Sequence, residues 1–143
     1  MSYYAKDYMT KEVPTIEYAA SATEAAKTMR NSGKDFLIIL KDLRPVGRVT
    51  ERDFVDKLIA DERDPAETSV GSIMSSQLIT VDPDEDLLKA SEIMQNNKVD
   101  RLPVVKDGII YGVLRAADIA KGYSIYVDKA TREIVRWTLP FGA

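Results

Sequence analysis

The chain of 143 residues contains no cysteine and no histidine. Their absence excludes disulfides, thiol nucleophiles, zinc fingers and catalytic triads with an imidazole base. A bound metal would have to be held by carboxylate and carbonyl oxygens, which suit only Mg²⁺ or Ca²⁺. We find no nucleophile paired with a base, so we expect a protein that is not an enzyme and requires no cofactor.

Long hydrophobic runs are also missing. No apolar stretch approaches the ~20 residues of a membrane-spanning helix, and the N-terminal residues MSYYAKDYMTKEV lack the pattern of a signal peptide. We therefore expect a cytoplasmic protein without membrane contact. Positive charge is not in excess, since the net charge is −3 and the isoelectric point is about 5.1. This balance makes nucleic-acid binding an unfavoured function, although a local basic pocket is still allowed.

The strongest feature of the sequence is an internal duplication. A displacement of 65 residues aligns residues 9–55 with residues 74–120 without a gap, and 11 of the 47 pairs are identical. Average residue usage gives roughly 3 matches by chance at ~6% per position. The identical pairs are Met9/Met74, Thr15/Thr80, Ala25/Ala90, Met29/Met94, Asn31/Asn96, Asp35/Asp100, Leu37/Leu102, Lys41/Lys106, Asp42/Asp107, Gly47/Gly112 and Asp53/Asp118.

Each copy predicts the order β-α-β-β-α. A short extended segment (VPTI or LITV) precedes a helix, two apolar runs form a hairpin with a turn such as Asp107-Gly108, and a second helix starts near Asp53 or Asp118. Apolar residues spaced three and four apart mark the first helix of each copy: Ala22, Ala25 and Met29, then Leu87, Ala90 and Met94. Ser21 with Glu24, and Asp82-Pro83, are the predicted helix starts, and Gly33 and Asn97 the predicted ends.

A single copy of this size would bury too little surface to be stable alone. We therefore predict an α/β (α+β) fold in which two copies pack about a pseudo-twofold axis. The predicted boundaries are 1–66 for the first repeat, 67–126 for the second and 127–143 for a C-terminal extension, with residues 60–72 as the connector. In the extension, the apolar residues around Trp137 fit strands and a helix nearly equally well.

These residues resemble the CBS domain pair, also called the Bateman module. The resemblance lies in the methionine before each first strand, RLPVV at residues 101–105, and the segment with Gly, Ser or Thr, and Asp at fixed spacing, which stands as GRVTERD and GVLRAAD. It covers residues 5–126, and the order and duplication of these motifs are specific. The resemblance implies a disc-like module that pairs into homodimers. It also implies an adenosine ligand (AMP, ADP, ATP or S-adenosylmethionine) in the clefts between the repeats.

Thr50 and Asp53 of GRVTERD have two interpretations. Thr is a good helix N-cap, and an acid three residues later favours the positive end of the helix, so capping alone explains the pair. The second copy has Arg115 in place of Thr50 and yet retains Asp118. We take the retained acid as favouring a ligand, and the resemblance gives Asp53 and Asp118 the ribose hydroxyls, with Thr50 assisting Asp53.

The second copy departs from the family pattern at Arg115, which leaves two possibilities open. Arg115 either binds a phosphate by bidentate hydrogen bonds or forms a salt bridge with Asp118 that closes the site. We expect one complete site at Asp53 and an altered site at Asp118.

The resemblance also assigns phosphate and adenine contacts. Arg101 holds the family position that faces the phosphates, whereas its counterpart is Phe36; Lys34 and Lys98 lie close by. Val13 and Thr15 in the first site, and Ile79 and Thr80 in the second, are the expected adenine contacts. A simple strand preference for β-branched residues competes with this assignment for the threonines.

The expected function is a stand-alone regulatory module that senses an adenine nucleotide and acts on an unknown partner protein. The ligand would favour one arrangement of the module by binding it more tightly than the other. The alternatives are a ligand-free interaction and dimerisation module, a nucleotide hydrolase with carboxylate-held Mg²⁺, and nucleic-acid binding through a local basic strip.

Overall fold

The computed structural model describes residues 3–124 and residue 132. The C-terminal segment around Trp137, for which the sequence left strands or a helix open, lies outside the described residues. The first repeat consists of α1 (Ala5–Tyr8), β1 (Thr15–Glu17), α2 (Ala22–Ser32), β2 (Phe36–Lys41), β3 (Arg44–Thr50) and α3 (Glu51–Phe54), which continues into a π-helical turn (Val55–Ile59). A 3₁₀ turn (Val70–Ser72) leads to the second repeat, with α4 (Leu87–Asn97), β4 (Arg101–Lys106), β5 (Ile109–Arg115) and α5 at residues 116–124.

The two repeats have the same strand topology. In the first, β1 is parallel to β2 and β2 is antiparallel to β3. In the second, β4 and β5 form the hairpin, and the predicted extended segment is reduced to one parallel bridge between Val81 and Val104. The ladder is shorter because two of its donors are replaced by proline. The Ile38 and Tyr18 N–H groups bond to Pro14 O at 2.9 Å and to Leu40 O at 2.8 Å, whereas the equivalent residues, Pro103 and Pro83, have no N–H to donate.

Both hairpins close through two residues with positive φ. Asp42 and Leu43 have φ of 52° and 65°, and Asp107 and Gly108 have φ of 53° and 77°. Two successive left-handed residues are the turn that matches the twist of hairpin strands. The predicted turn at Asp107-Gly108 is confirmed, and both hairpins also carry a register shift at equivalent positions.

The predicted ends of the first helix are confirmed. The Ser21 hydroxyl accepts the Glu24 N–H at 3.1 Å, and Gly33 ends α2 with φ of 68°. The predicted ends of α4 are wrong. Asp86 is the N-cap, accepting the Leu88 N–H at 2.7 Å, whereas Asp82 caps a turn through the Asp84 N–H.

At the other end of α4, the left-handed residue is Lys98 with φ of 54°, not Asn97. Lys98 is the equivalent of Gly33 in the duplication. The left-handed conformation therefore occurs at the same position of both repeats, even where the residue there is not the one best suited to it. Asn97 stays helical, and its side-chain amide donates to Ile93 O at 2.8 Å.

Each repeat has its own hydrophobic core built from equivalent positions. The first contains Ala22, Ala25, Met29, Leu37, Ile39 and Val49, and the second contains Leu87, Ala90, Met94, Leu102, Val104 and Leu114. The helix faces predicted from spacing are therefore confirmed as core. A third cluster of Phe36, Ile38 and Val113 joins the repeats, with Val13 and Leu78 packed against it.

The repeats are tied together by a reciprocal exchange of backbone hydrogen bonds. Thr10 and Val113 bond to each other in both directions at 2.9 Å, and the equivalent pair, Ser75 and Arg48, does the same at 2.8 and 3.0 Å. The segment before the first strand of each repeat thus pairs with the last strand of the other. The pairing relates the repeats by the expected pseudo-twofold symmetry.

This exchange requires glycine at Gly47 and Gly112. A Cβ on Gly112 would lie 2.6 Å from Thr10 O and 2.7 Å from the Met9 sulfur, and a Cβ on Gly47 would meet Ser75 O and the Met74 sulfur at 2.5 and 2.6 Å. Two identical pairs of the duplication, the methionines and the glycines, are therefore explained by one contact made twice.

We predict that Gly112→Ala lowers the free energy of unfolding by about 3 kcal/mol, at the upper end for overpacking, because a backbone oxygen must move. Gly33→Ala is the control, since its Cβ would meet nothing within 4 Å and only its positive φ of 68° is unfavourable, at about 1 kcal/mol. Urea denaturation of both variants measures the difference. An equal loss in the two variants would contradict the close approach.

Candidate functional site

The Asp53 carboxylate lies at the first turn of α3 and binds the end of β3. Its Oδ2 accepts the Thr50 N–H at 2.9 Å and the Thr50 hydroxyl at 3.3 Å, and its Oδ1 is 3.0 Å from the Lys57 ammonium. The carboxylate therefore caps the helix start. Lys57 is 43% exposed, so its contact with Oδ1 lies at the protein surface.

The Asp118 carboxylate has the same place in the second repeat but a different partner. Its Oδ2 accepts the Arg115 backbone N–H at 2.9 Å, and the Arg115 guanidinium reaches both oxygens at 3.1 and 2.8 Å. The Arg115 pKa is raised by this hydrogen bond and ion pair. Of the two possibilities left open by the sequence, the structure has the salt bridge that occupies Asp118.

The capping bond is common to both repeats, which changes the argument for a ligand. Each acid accepts the backbone N–H three residues before it at 2.9 Å, whether that residue is Thr50 or Arg115. An acid at this position thus has a structural role that does not depend on the side chain before it. The retained acid is therefore explained without a ligand, and the ribose role of Asp53 stays a prediction.

The candidate adenine contacts of the first site lie one strand away from Asp53. Thr15 pairs with Ile38 in β2, and Thr50 pairs with Phe36 on the other side of β2. Since β2 lies between them, β1 and β3 are two strand spacings apart, a total of about 10 Å. Thr15 is exposed, and Val13 packs against the cluster between the repeats. Val13 and Thr15 also line a cavity of about 370 Å³ with Lys11, Leu40, Leu43, Ile109 and Ile110, residues from both repeats.

In the second site, Ile79 and Thr80 have different environments. Ile79 is half-buried and lines a small cavity between the repeats, whereas Thr80 is exposed. The equivalent of Val13 is Leu78, which packs against the same inter-repeat cluster. The structure therefore brings Ile79, but not Thr80, to the surface shared by the repeats.

Arg101 begins β4 and reaches across to the first repeat. Its guanidinium lies over the Phe36 ring, 4.6 Å from the ring centroid, and its Nη1 is 2.8 Å from Oδ1 of Asp35. Phe36 and Arg101 are equivalent positions of the duplication, so they meet beside the pseudo-twofold axis. Hydrogen bonding to Arg101 holds the pKa of Asp35 below its ordinary value, and the same bond raises the pKa of Arg101.

Sequence reasoning missed a second arginine at this place. Arg48 lines the inter-repeat cavity of about 10 Å³ together with Arg101 and Ile79, and its buried Nε has no hydrogen-bond partner among the described residues. The duplication could have indicated Arg48, because Arg48 aligns with Val113 in the other copy just as Arg101 aligns with Phe36. Each repeat thus contributes one arginine where the other repeat has an apolar residue.

The two lysines named from the sequence lie farther from the axis. Lys34 lines an outer groove of about 500 Å³ with Gly33, Asp35 and Glu51, at the end of α2 and the start of α3. The equivalent groove of the second repeat has about 250 Å³, and Val99 replaces Lys34 there. Lys98 is exposed and forms the left-handed cap of α4.

The described residues contain no group of three or more acids that could hold a metal ion. Within the same residues, no helix is long and apolar enough to cross a membrane.

The fold and site define a two-repeat α+β module with candidate ligand contacts at the strand ends and at the axis. The family model of the CBS domain matches residues 5–60 and 70–124. The chain therefore belongs to the CBS domain family, as the sequence motifs predicted.

The chain is also similar to known proteins and solved structures. It is 33% identical over 111 residues to the uncharacterized protein MK0525 of Methanopyrus kandleri, covering 76% of this chain and 57% of that protein. The chain thus spans little more than half of this relative. The crystal structure of Hypoxic Response Protein I with two coordinated zinc ions matches with a TM-score of 0.74 and 29% identity, over 82% of this chain and 97% of that one. The hexameric CBS-CP12 protein from bloom-forming cyanobacteria matches with a TM-score of 0.73 and 27% identity, over 95% and 84% of the two chains.

Proposed function

We propose that this module binds an adenosine nucleotide between its repeats and passes the binding signal to a partner protein. The observation that carries the proposal is that Arg48 and Arg101, one from each repeat, line the same small cavity between the repeats. Arginine is suited to phosphate because its planar group donates two parallel hydrogen bonds. A phosphate held by both arginines would contact both repeats at once.

The surroundings of the arginines fit the rest of such a ligand. The apolar residues Val13 and Ile79 lie on either side of the axis and offer surfaces for an adenine ring. The Asp53 carboxylate, at the first turn of α3, offers acceptor oxygens for ribose hydroxyls, with Lys57 displaced from Oδ1. The buried Nε–H of Arg48, which has no acceptor among residues 3–124, is a donor that a ligand oxygen or a water would satisfy.

The two sites should differ in strength. Asp53 holds Lys57 by a single contact at Oδ1, whereas Asp118 is bound at both oxygens by Arg115. A ribose at Asp118 would first have to break that bidentate ion pair. We therefore assign the stronger binding to the site of Asp53.

A nucleotide-specific thermal shift tests the proposal. We expect AMP, ADP or ATP at 100 times its Kd to stabilise the protein by about 2.7 kcal/mol. Asp53→Asn should remove most of that increase, because the charged ribose acceptor is lost, whereas Asp118→Asn is the matched control with the same change at the equivalent position. Each ligand-induced shift is measured relative to the same variant without ligand, so the loss of stability from a weakened helix cap does not affect the comparison.

S-adenosylmethionine, which has no phosphate, serves as the comparison ligand in this titration. The absence of a shift with all four ligands would overturn nucleotide sensing and leave an interaction module. Release of phosphate from ATP by the purified protein would instead indicate a hydrolase.

Arg115→Thr should open the second site. The substitution copies the residue of the first repeat, removes the guanidinium from both oxygens of Asp118 and supplies a hydroxyl beside it. We expect isothermal titration calorimetry to show a second nucleotide bound per chain. Arg115→Met is the control, because it frees Asp118 without adding the hydroxyl. Unchanged stoichiometry in both variants would show that Arg115 does not close the site.

We also propose that the module associates with copies of itself, a role supported by the hexameric relative and by one apolar surface. Val55 and Ile59 are 54% and 64% exposed and lie four residues apart after α3. Their equivalents in the second repeat are Ala120 and Ser124, which have small side chains. Large exposed apolar residues of this kind favour a protein contact.

Sedimentation velocity tests the association. We expect Ile59→Glu to shift the protein toward the monomer, because a buried charge without a partner opposes association. Ser124→Glu, the same charge at the equivalent position, should leave the oligomeric state unchanged. Identical sedimentation of wild type and both variants would exclude this face as the contact.

A further inference from the structure

The Arg101 guanidinium, beside the pseudo-twofold axis, is already paired with a carboxylate from the other repeat. Asp35 lies just before β2 and its side chain bonds to Arg101, Oδ1 at 2.8 Å from Nη1 and Oδ2 at 3.4 Å from Nη2. The equivalent acid, Asp100, lies 3.6 Å from Nε of the same guanidinium. The duplication relates the pair of Asp35 and Arg101 to Asp100 and Phe36, and Phe36 carries no charge. The ion pair therefore has no counterpart at the equivalent positions.

This pairing occupies the surface of Arg101 that a phosphate would use. The guanidinium lies against the Phe36 ring on one face, and its two terminal nitrogens point to Asp35. Carboxylate and phosphate bind the arginine group through the same pair of parallel hydrogen bonds. A phosphate cannot take both nitrogens until the carboxylate has left.

Asp35 is free to leave without disturbing the fold. Its side chain is 58% exposed. Its contribution to the fold is made by the backbone carbonyl, which accepts the Glu51 N–H at 3.3 Å at the start of α3. It also lines the outer groove of about 500 Å³, where Arg30 and Lys34 offer other positive charges. The carboxylate therefore has space and alternative partners on the side away from the axis.

We propose that Asp35 is an internal counter-ion that competes with ligand phosphate for Arg101 and so sets the preference of the module between phosphate-bearing and phosphate-free adenosine ligands. The inference rests on the proposed nucleotide binding and adds to it the residue that controls ligand class. Binding of a phosphate moves the carboxylate off Arg101. The ion pair between the repeats is thereby exchanged for contacts through the ligand.

Calorimetric titration of AMP, ATP and adenosine into wild type and Asp35→Asn tests the inference. We expect Asp35→Asn to tighten the binding of AMP and ATP by about two- to fivefold, the upper part of the range that the free energy of a partly exposed ion pair allows. Adenosine affinity should change by less than about twofold, because adenosine does not need Arg101. Asp100→Asn removes the same charge at the equivalent position and should change all three affinities by less than about twofold.

The double variant Asp35→Asn with Arg101→Met shows whether the gain passes through Arg101. Loss of the phosphate-specific gain in this variant supports the inference, as does nucleotide binding that appears only in Asp35→Asn. If wild type binds nucleotide and Asp35→Asn changes AMP, ATP and adenosine equally or not at all, the inference is overturned and nucleotide sensing stands. If neither protein binds any of the three ligands, both proposals are overturned.

Discussion

The fold depends on the reciprocal backbone pairing between the repeats. Thr10 and Ser75, which precede the first strand of their own repeats, each form two hydrogen bonds with the last strand of the other repeat. The pairing allows two units, each too small to be stable alone, to share the apolar cluster around Phe36 and Val113. It also places the starts of β2 and β4 side by side, which is why Arg101 contacts the first repeat at all.

The duplication preserves geometry and lets the chemistry differ. Equivalent positions hold the cores, the hairpin turns and the capping carboxylates Asp53 and Asp118 in matching places. The charged residues break the symmetry, since the residue equivalent to Arg48 is Val113 and the residue equivalent to Arg101 is Phe36. Two positive charges, one from each repeat, therefore lie at the boundary between the halves. An anion bound at that boundary, as proposed, would be coupled to the arrangement of the two repeats.

Much of the fold could be predicted because it follows from local patterns that occur twice. Helical spacing around Met29 and Met94, the turn at Asp107-Gly108 and the cap at Ser21 were confirmed. The predictions for α4 failed where residue preference competed with position in the repeat. Lys98 takes the left-handed turn of its equivalent Gly33, although Asn97 is better suited to that conformation, and Asp86 caps the helix in place of Asp82.

The sequence by itself determined the duplication, the order of elements, the family and the candidate acids, since these depend on residues close in the chain or displaced by one fixed interval. Only the tertiary structure decided which charges are available to a ligand. Asp53 and Asp118 are equivalent positions of the duplication. Nevertheless, Arg115 binds both oxygens of Asp118, whereas Lys57 contacts one oxygen of Asp53. Asp35 and Arg101 are 66 residues apart and form their ion pair because the repeats pack across the axis. The contact between Asp35 and Arg101 depends on how the two halves meet, and no local pattern in the chain contains that information.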